Sequence, residues 1–166
     1  MIKKVLLVGA LIALMPAASY AKSSLRSSIA SGAGPRVGFS VDPDQVVFGG
    51  HLVIGEVAPS VTFVPNLEVG FGDDVSVIAL NFDMQYHFPL RGSDWRPYVG
   101  AGVGVNFTQV DLPAPLEDES NTDIGGAVLV GVGVPTRSGN RFFSEMKFGL
   151  GDVASLKVIA GWNFRI

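Results

Sequence analysis

An all-β fold, an eight-stranded antiparallel up-and-down barrel, is predicted by three features of the sequence. Apolar residues recur at every second position in segment after segment from 36 to 166, and no helical three-to-four spacing is sustained there. Short clusters of Pro, Gly, Asn and Asp separate those segments, as tight connections between antiparallel neighbours require. On the later segments, glycines gather on the face opposite the apolar side chains.

The first strand is predicted over about 36–42, with Val37, Phe39 and Val41 on one face and Arg36, Gly38, Ser40 and Asp42 on the other. The second, about 46–55, sets Phe48, Leu52 and Ile54 against Val47, Gly49, His51 and Val53. The third, about 61–72, sets Val61, Phe63, Leu67, Val69 and Phe71 against Thr62, Val64, Asn66, Glu68 and Gly70. Pro65 falls inside it, and a proline cannot donate to a ladder, so a bulge or an interruption is expected there. The fourth strand, about 75–88, alternates most cleanly, with Ile78, Leu80, Phe82, Met84, Tyr86 and Phe88 opposed by Asn81, Asp83, Gln85 and His87.

The fifth strand, about 96–109, sets Val99, Ala101, Val103, Val105 and Phe107 against Tyr98, Gly100, Gly102, Gly104 and Asn106. The sixth, about 124–134, carries Val128, Val130, Val132 and Val134 opposite Ala127, Leu129, Gly131 and Gly133. The seventh, about 141–151, sets Phe142, Met146, Phe148 and Leu150 against Arg141, Phe143, Glu145, Lys147 and Gly149. The eighth runs from about 154 to the end, with Leu156, Val158, Ala160, Trp162, Phe164 and Ile166 on its apolar face and Lys157, Asn163 and Arg165 between them. The connection 111–123 is the long one, and it is acidic.

The amino-terminal segment has the three parts of a signal peptide. Lys3 and Lys4 supply the charge, 5–15 is apolar, and Ser19 and Ala21 are small residues placed for cleavage after Ala21. Pro16 ends the apolar run well short of the ~20 residues that a helical span needs. The expected organisation is therefore 1–21 signal peptide, 22–35 flexible lead-in and 36–166 a single barrel domain. The chain has no cysteine and a net charge of −3, and the leader's two lysines make the remainder more acidic still. Such a chain, with no basic run, is not a nucleic-acid binder.

Eight amphipathic strands can close with either face inward. The polar-face set contains Arg36, His51, Glu68, Asp83, His87, Glu145, Lys147, Lys157 and Arg165, whose charges nearly balance. The interior of an eight-stranded barrel is just wide enough to be filled by side chains. Glycines on that face make room for long charged residues, whereas on a water-facing wall they would weaken the strands with no packing gain. The prediction is a transmembrane barrel, apolar face outward, with a polar, Gly-rich interior in which those nine residues form a network. Strands of about ten residues suit a tilted membrane crossing.

His51 and His87 are the only histidines, and without Cys partners they fall short of the three or four ligands that a metal usually takes. No Gly-x-Ser-x-Gly motif is present, and Gly100-Ala101-Gly102-Val103-Gly104 lacks the strand-to-helix setting of a nucleotide loop. No catalytic residue and no cofactor are expected. In an up-and-down barrel with both termini at one end, the opposite end collects Asp42, Asp44, Asp73, Asp74, Asp111, Glu117, Asp118, Glu119, Asp123 and Asp152, with no Lys or Arg in those loops. Carboxylate oxygens suit Ca²⁺ and Mg²⁺, so a weak divalent-cation rim is a candidate there. The other end holds Arg91, Arg96, Arg137 and Arg141 with Glu56 and Asp94.

The run Arg96-Pro97-Tyr98-Val99-Gly100-Ala101-Gly102-Val103-Gly104 and the terminal Ala160-Gly161-Trp162-Asn163-Phe164-Arg165-Ile166 resemble the small eight-stranded outer-membrane barrels of the OmpA-like and opacity-protein-like group. The resemblance covers most of the chain after the leader, and departs from the group in ending on Ile166 instead of an aromatic residue. It implies location in a bacterial outer membrane, contact with membrane lipid and lipopolysaccharide, delivery by the barrel assembly machinery through the carboxyl-terminal strand, and a monomer. The expected role is structural or surface interaction without catalysis. A narrow channel for small solutes and a soluble lipocalin-like binder are the alternatives.

Overall fold

In the computed structural model, residues 30–73, 75–110 and 119–166 are described. They form β1 (Ala30–Val41), β2 (Gln45–Ala58), β3 (Val61–Phe71), β4 (Val75–His87), β5 (Arg96–Val110), β6 (Glu119–Pro135), β7 (Arg141–Leu150) and β8 (Leu156–Asn163). Each strand pairs antiparallel with its chain neighbours, and β1 pairs with β8, so the sheet closes into a barrel without an edge. Expected leader residues 1–21 and most of the expected lead-in lie outside the described residues.

The registers show how the barrel closes. Stepping from Val41 through Leu156, Phe148, Val128, Ala101, Met84, Phe63 and Ile54 leads back to β1 at Ala30. Between Ala30 and Gly32 the register shifts at a bulge. A stagger of this kind accompanies strands tilted by roughly 35–45° from the barrel axis.

Alternation located the strands, and their ends differ from expectation where backbone pairing continues without it. β1 begins at Ala30, ahead of the expected Arg36. Ala33 and Gly34 pair with Leu52 and His51, and Gly34 lies so close to the Trp162 carbonyl that a Cβ would collide with it. The last part of the expected lead-in is thus strand. Similarly, β6 starts at Glu119, because the polar run Glu119-Ser120-Asn121-Thr122-Asp123 pairs with 106–110 and extends the β5–β6 hairpin. β8 ends at Asn163, with one further bridge from Phe164 to Ala33, so Arg165 and Ile166 lie beyond it.

Pro65 does not break β3. Its ladder to β4 runs unbroken through the Pro65–Phe82 pair. The ladder to β2 passes from His51–Asn66 to Ile54–Phe63 with the same offset, so no residue is inserted at the proline. Two pairs are missing between them, Leu52 with Pro65, where a donor is lacking, and the adjoining Val53 with Val64. The register shifts of this hairpin lie further on, around Glu56.

Burial is inverted relative to a water-soluble barrel. Arg36, His51, Asn66, Glu68, Asp83, Gln85, Glu145 and Lys147 are buried inside. Phe39, Phe48, Phe82, Val99, Val103, Val128, Val130, Met146 and Phe148 point outward and are exposed, Val103 by 61%. A continuous apolar wall of this extent is unstable in water and is what a bilayer covers. The lumen also holds apolar side chains, among them Val47, Val64, Leu129, Phe143 and Ile159.

Candidate functional site

The inward faces of β1, β3, β4, β5, β7 and β8 meet in mid-lumen around three cations and three carboxylates. Arg36 from β1 forks between two strands: Nη1 donates to Glu68 Oε1 and Nη2 to Glu145 Oε1, each at 3.1 Å. Lys157 donates to the other Glu68 oxygen at 2.9 Å. Lys147 pairs with Asp83 and stands 3.9 Å from Glu145. Glu145 Oε2 also accepts from the Tyr98 hydroxyl at 2.9 Å and from Gln85 at 3.0 Å. Asn66 donates to Asp83 at 2.8 Å, and Asn81 donates to Asn66 at 3.0 Å.

The cluster is neutral as a whole, which is the condition for holding charges away from water. Both oxygens of two carboxylates are engaged, Glu145 accepting from three side chains and Glu68 from two, while both bonds to Asp83 fall on Oδ2. The Arg36 guanidinium lies 5.5 Å from the centre of the Phe143 ring, and His51 meets that ring edge-on at 5.1 Å.

Glycine makes this packing possible. A Cβ at Gly131 would lie within 3.0 Å of the Tyr98 ring, at Gly161 within 3.0 Å of Phe143, at Gly102 within 3.0 Å of the Asp83 carboxylate, and at Gly133 within 3.0 Å of the Arg141 side chain. The long polar residues therefore lie across facing glycines.

On the terminal side of the ion pairs the lumen opens into a cavity of about 710 Å³. Arg36, His51, Tyr98 and Phe143 line it deep in the barrel, and His87, Arg96, Arg141 and Arg165 line it nearer the mouth. His87 is hydrogen-bonded to Thr62 at 2.9 Å and packs 5.3 Å from the Tyr98 ring. On the far side, a gap of about 30 Å³ lies beside Asp83, Lys147 and Lys157.

Of the nine residues expected in the interior network, Arg36, Glu68, Asp83, Glu145, Lys147 and Lys157 meet as ion pairs. His51 and His87 line the cavity, outside those pairs. Arg165 is a correction: β8 ends before it, and its side chain is exposed at the mouth. Tyr98, Gln85, Asn66 and Asn81 were not singled out from sequence, although their alternation placed all four on the inward face.

The expected acidic rim is described only in part. Asp42, Asp44, Asp73 and Asp152 are exposed at the end away from the termini, and Glu119 and Asp123 lie on β6 near it. Asp42 accepts from the Ser155 hydroxyl at 3.2 Å, and Asp123 from Asn121 at 2.7 Å. Asp74, Asp111, Glu117 and Asp118 lie outside the described residues. Among the described residues, no three His, Asp or Glu side chains converge to hold a metal ion.

A closed eight-stranded antiparallel barrel with an apolar wall is the architecture of the small OmpA-like outer-membrane barrels. No protein-family profile matches the chain, and no curated protein does. Solved structures do. The amino-terminal β-barrel domain of OprF from Pseudomonas aeruginosa is similar with a TM-score of 0.65 at 14% identity, over 82% of this chain and 98% of that one. Neisserial surface protein A gives 0.57 at 19% identity, over 82% and 94%. The Yersinia pestis outer-membrane protein Ail gives 0.51 at 9% identity, over 82% and 99%. At these identities the likeness is one of fold.

Proposed function

We propose that this protein is a bacterial outer-membrane barrel with a structural or surface-interaction role and no catalysis. The observation that carries the reading is the inversion of the barrel, with an apolar wall outside and paired charges within. The same inversion removes the lipocalin-like alternative, whose wall faces water. The aromatic residues support a bilayer setting. Tyr86, Phe88, Trp95, Phe142 and Trp162 sit on strand ends and a turn at the terminal end, with Tyr86 stacked edge-on to Phe88 and Phe142 to Trp162. Tyr86, Trp95 and Trp162, whose rings each carry one polar atom, belong at a membrane–water interface.

In this reading the terminal end faces the periplasm and the acidic end faces outward toward lipopolysaccharide. The carboxyl-terminal strand is the segment presented to the assembly machinery, and the barrel is a monomer. The neutral pairs close the lumen, so the protein is not an open pore. Two measurements test this. The folded protein should extract only with detergent and change gel mobility on boiling. In planar bilayers it should give no large, stable single-channel currents; such currents would replace this reading with a solute channel.

A further inference from the structure

Five buried side-chain atoms among the described residues have no hydrogen-bond partner: Arg36 Nε, His51 Nδ1, His87 Nδ1, Arg141 Nε and Asn163 Oδ1. All five residues line the one 710 Å³ cavity at the terminal end. Buried polar groups are nearly always paired, so the unpaired donors Arg36 Nε and Arg141 Nε, on residues that line one space, point to an acceptor there, while Asn163 Oδ1 accepts only and calls for a donor. Two of these residues are almost wholly buried, Arg36 at 3% and His51 at 6% exposed.

The charges define the occupant. Arg96 and Arg165 stand near enough to Arg141 to repel it. None of the three is within ion-pairing distance of an acid among the described residues, although Glu56 and Asp94 share the lining. Guanidinium groups that share a cavity without an ion-paired carboxylate match phosphate and carboxylate oxygens. The volume falls within the range of small-molecule sites, ~300–1,000 Å³. All eight ladders are closed, so the cavity is reached through its mouth and not sideways from lipid.

We propose that this vestibule binds a small soluble oxyanion carrying phosphate or carboxylate groups, held at the mouth by Arg96, Arg141 and Arg165 above the floor formed by Arg36. The site shares Arg36 with the ion pairs of the lumen, which form its floor, and it does not depend on which membrane holds the barrel.

Pyrophosphate is a suitable probe. Trp95 lines the cavity and Trp162 is the only other tryptophan, so Trp162→Phe leaves a single reporter at the site. In maltoside micelles, pyrophosphate should change the Trp95 emission saturably and raise the thermal midpoint, while chloride at equal ionic strength should not. Citrate should compete. Arg96→Gln and Arg165→Gln, both at exposed positions, should each weaken binding about tenfold, the scale of one charge-assisted hydrogen bond. Arg137→Gln, an exposed arginine at the same end but outside the lining, should leave it unchanged. The proposal is overturned if pyrophosphate does no more than chloride, or if Arg137→Gln weakens binding as much as the mouth variants do. Repeating the titration in phosphatidylglycerol and phosphatidylcholine nanodiscs tests the source. Loss of binding in phosphatidylglycerol alone would assign the site to lipid headgroups and overturn the soluble solute.

Discussion

Arg36 and Glu145 lie 109 positions apart in the chain and bind each other at 3.1 Å across the lumen, although β8 stands between their strands. Ladder pairing alone cannot bring them together; barrel closure does. The same arginine reaches Glu68 on β3, so one side chain ties three strands through the interior.

Glu145→Ala leaves the Arg36 fork half empty and strips the acceptor from Tyr98 and Gln85. Removing one partner of a buried pair costs ~3–5 kcal/mol. Asp44→Ala, at an exposed turn, should change stability by no more than ~0.5 kcal/mol. Urea unfolding in lipid vesicles measures both. In an Arg36→Met background the loss caused by Glu145→Ala should shrink, because the stranded charge is then absent.

Gly131→Ala should destabilise the barrel, since its new methyl group meets the Tyr98 ring and the Ser144 carbonyl. Overpacking of this kind costs ~1–3 kcal/mol. Gly55→Ala, on β2 where nothing lies within 4 Å of the added carbon, should be nearly neutral. Comparing their unfolding midpoints checks whether close approach, and not strand glycine in general, sets the requirement.

Val103→Asp should block insertion into vesicles, because Val103 sits midway along β5 on the outer wall. A cation at the bilayer midplane costs ~2–4 kcal/mol and an acid somewhat less. Thr62→Asp places the same charge in the cavity that holds Arg141 and should insert normally. The fraction of protein that becomes heat-modifiable after refolding reports both. A larger defect for Thr62→Asp would reverse the assignment of faces.

The strands that sequence located best are those whose two faces differ most, such as β4 and β7. β1 begins early because Ala33, Gly34 and Pro35 enter the ladder through backbone alone, and small residues show no alternation. The start of β6 was hidden by a polar run that pairs without burying an apolar face. Alternation gave the inward face of Tyr98, Gln85 and Asn66 but not their depth, and depth decides which charge each one meets. The cavity was illegible because it depends on which inward residues are short at a given level. Arg165 was misplaced because alternation continues past the last residue that β1 and β7 pair with.

The account's central claim is that the apolar wall faces lipid, and nitroxide accessibility in vesicles tests it most directly. The chain has no cysteine, so single cysteines at 82, 103 and 130 can carry the label, with 44 as the aqueous reference. The account predicts that the three wall positions collide freely with oxygen and are shielded from a water-soluble nickel complex, while position 44 is open to nickel. Nickel accessibility at 82, 103 and 130 equal to that at 44, in the folded protein mixed with vesicles, would contradict it.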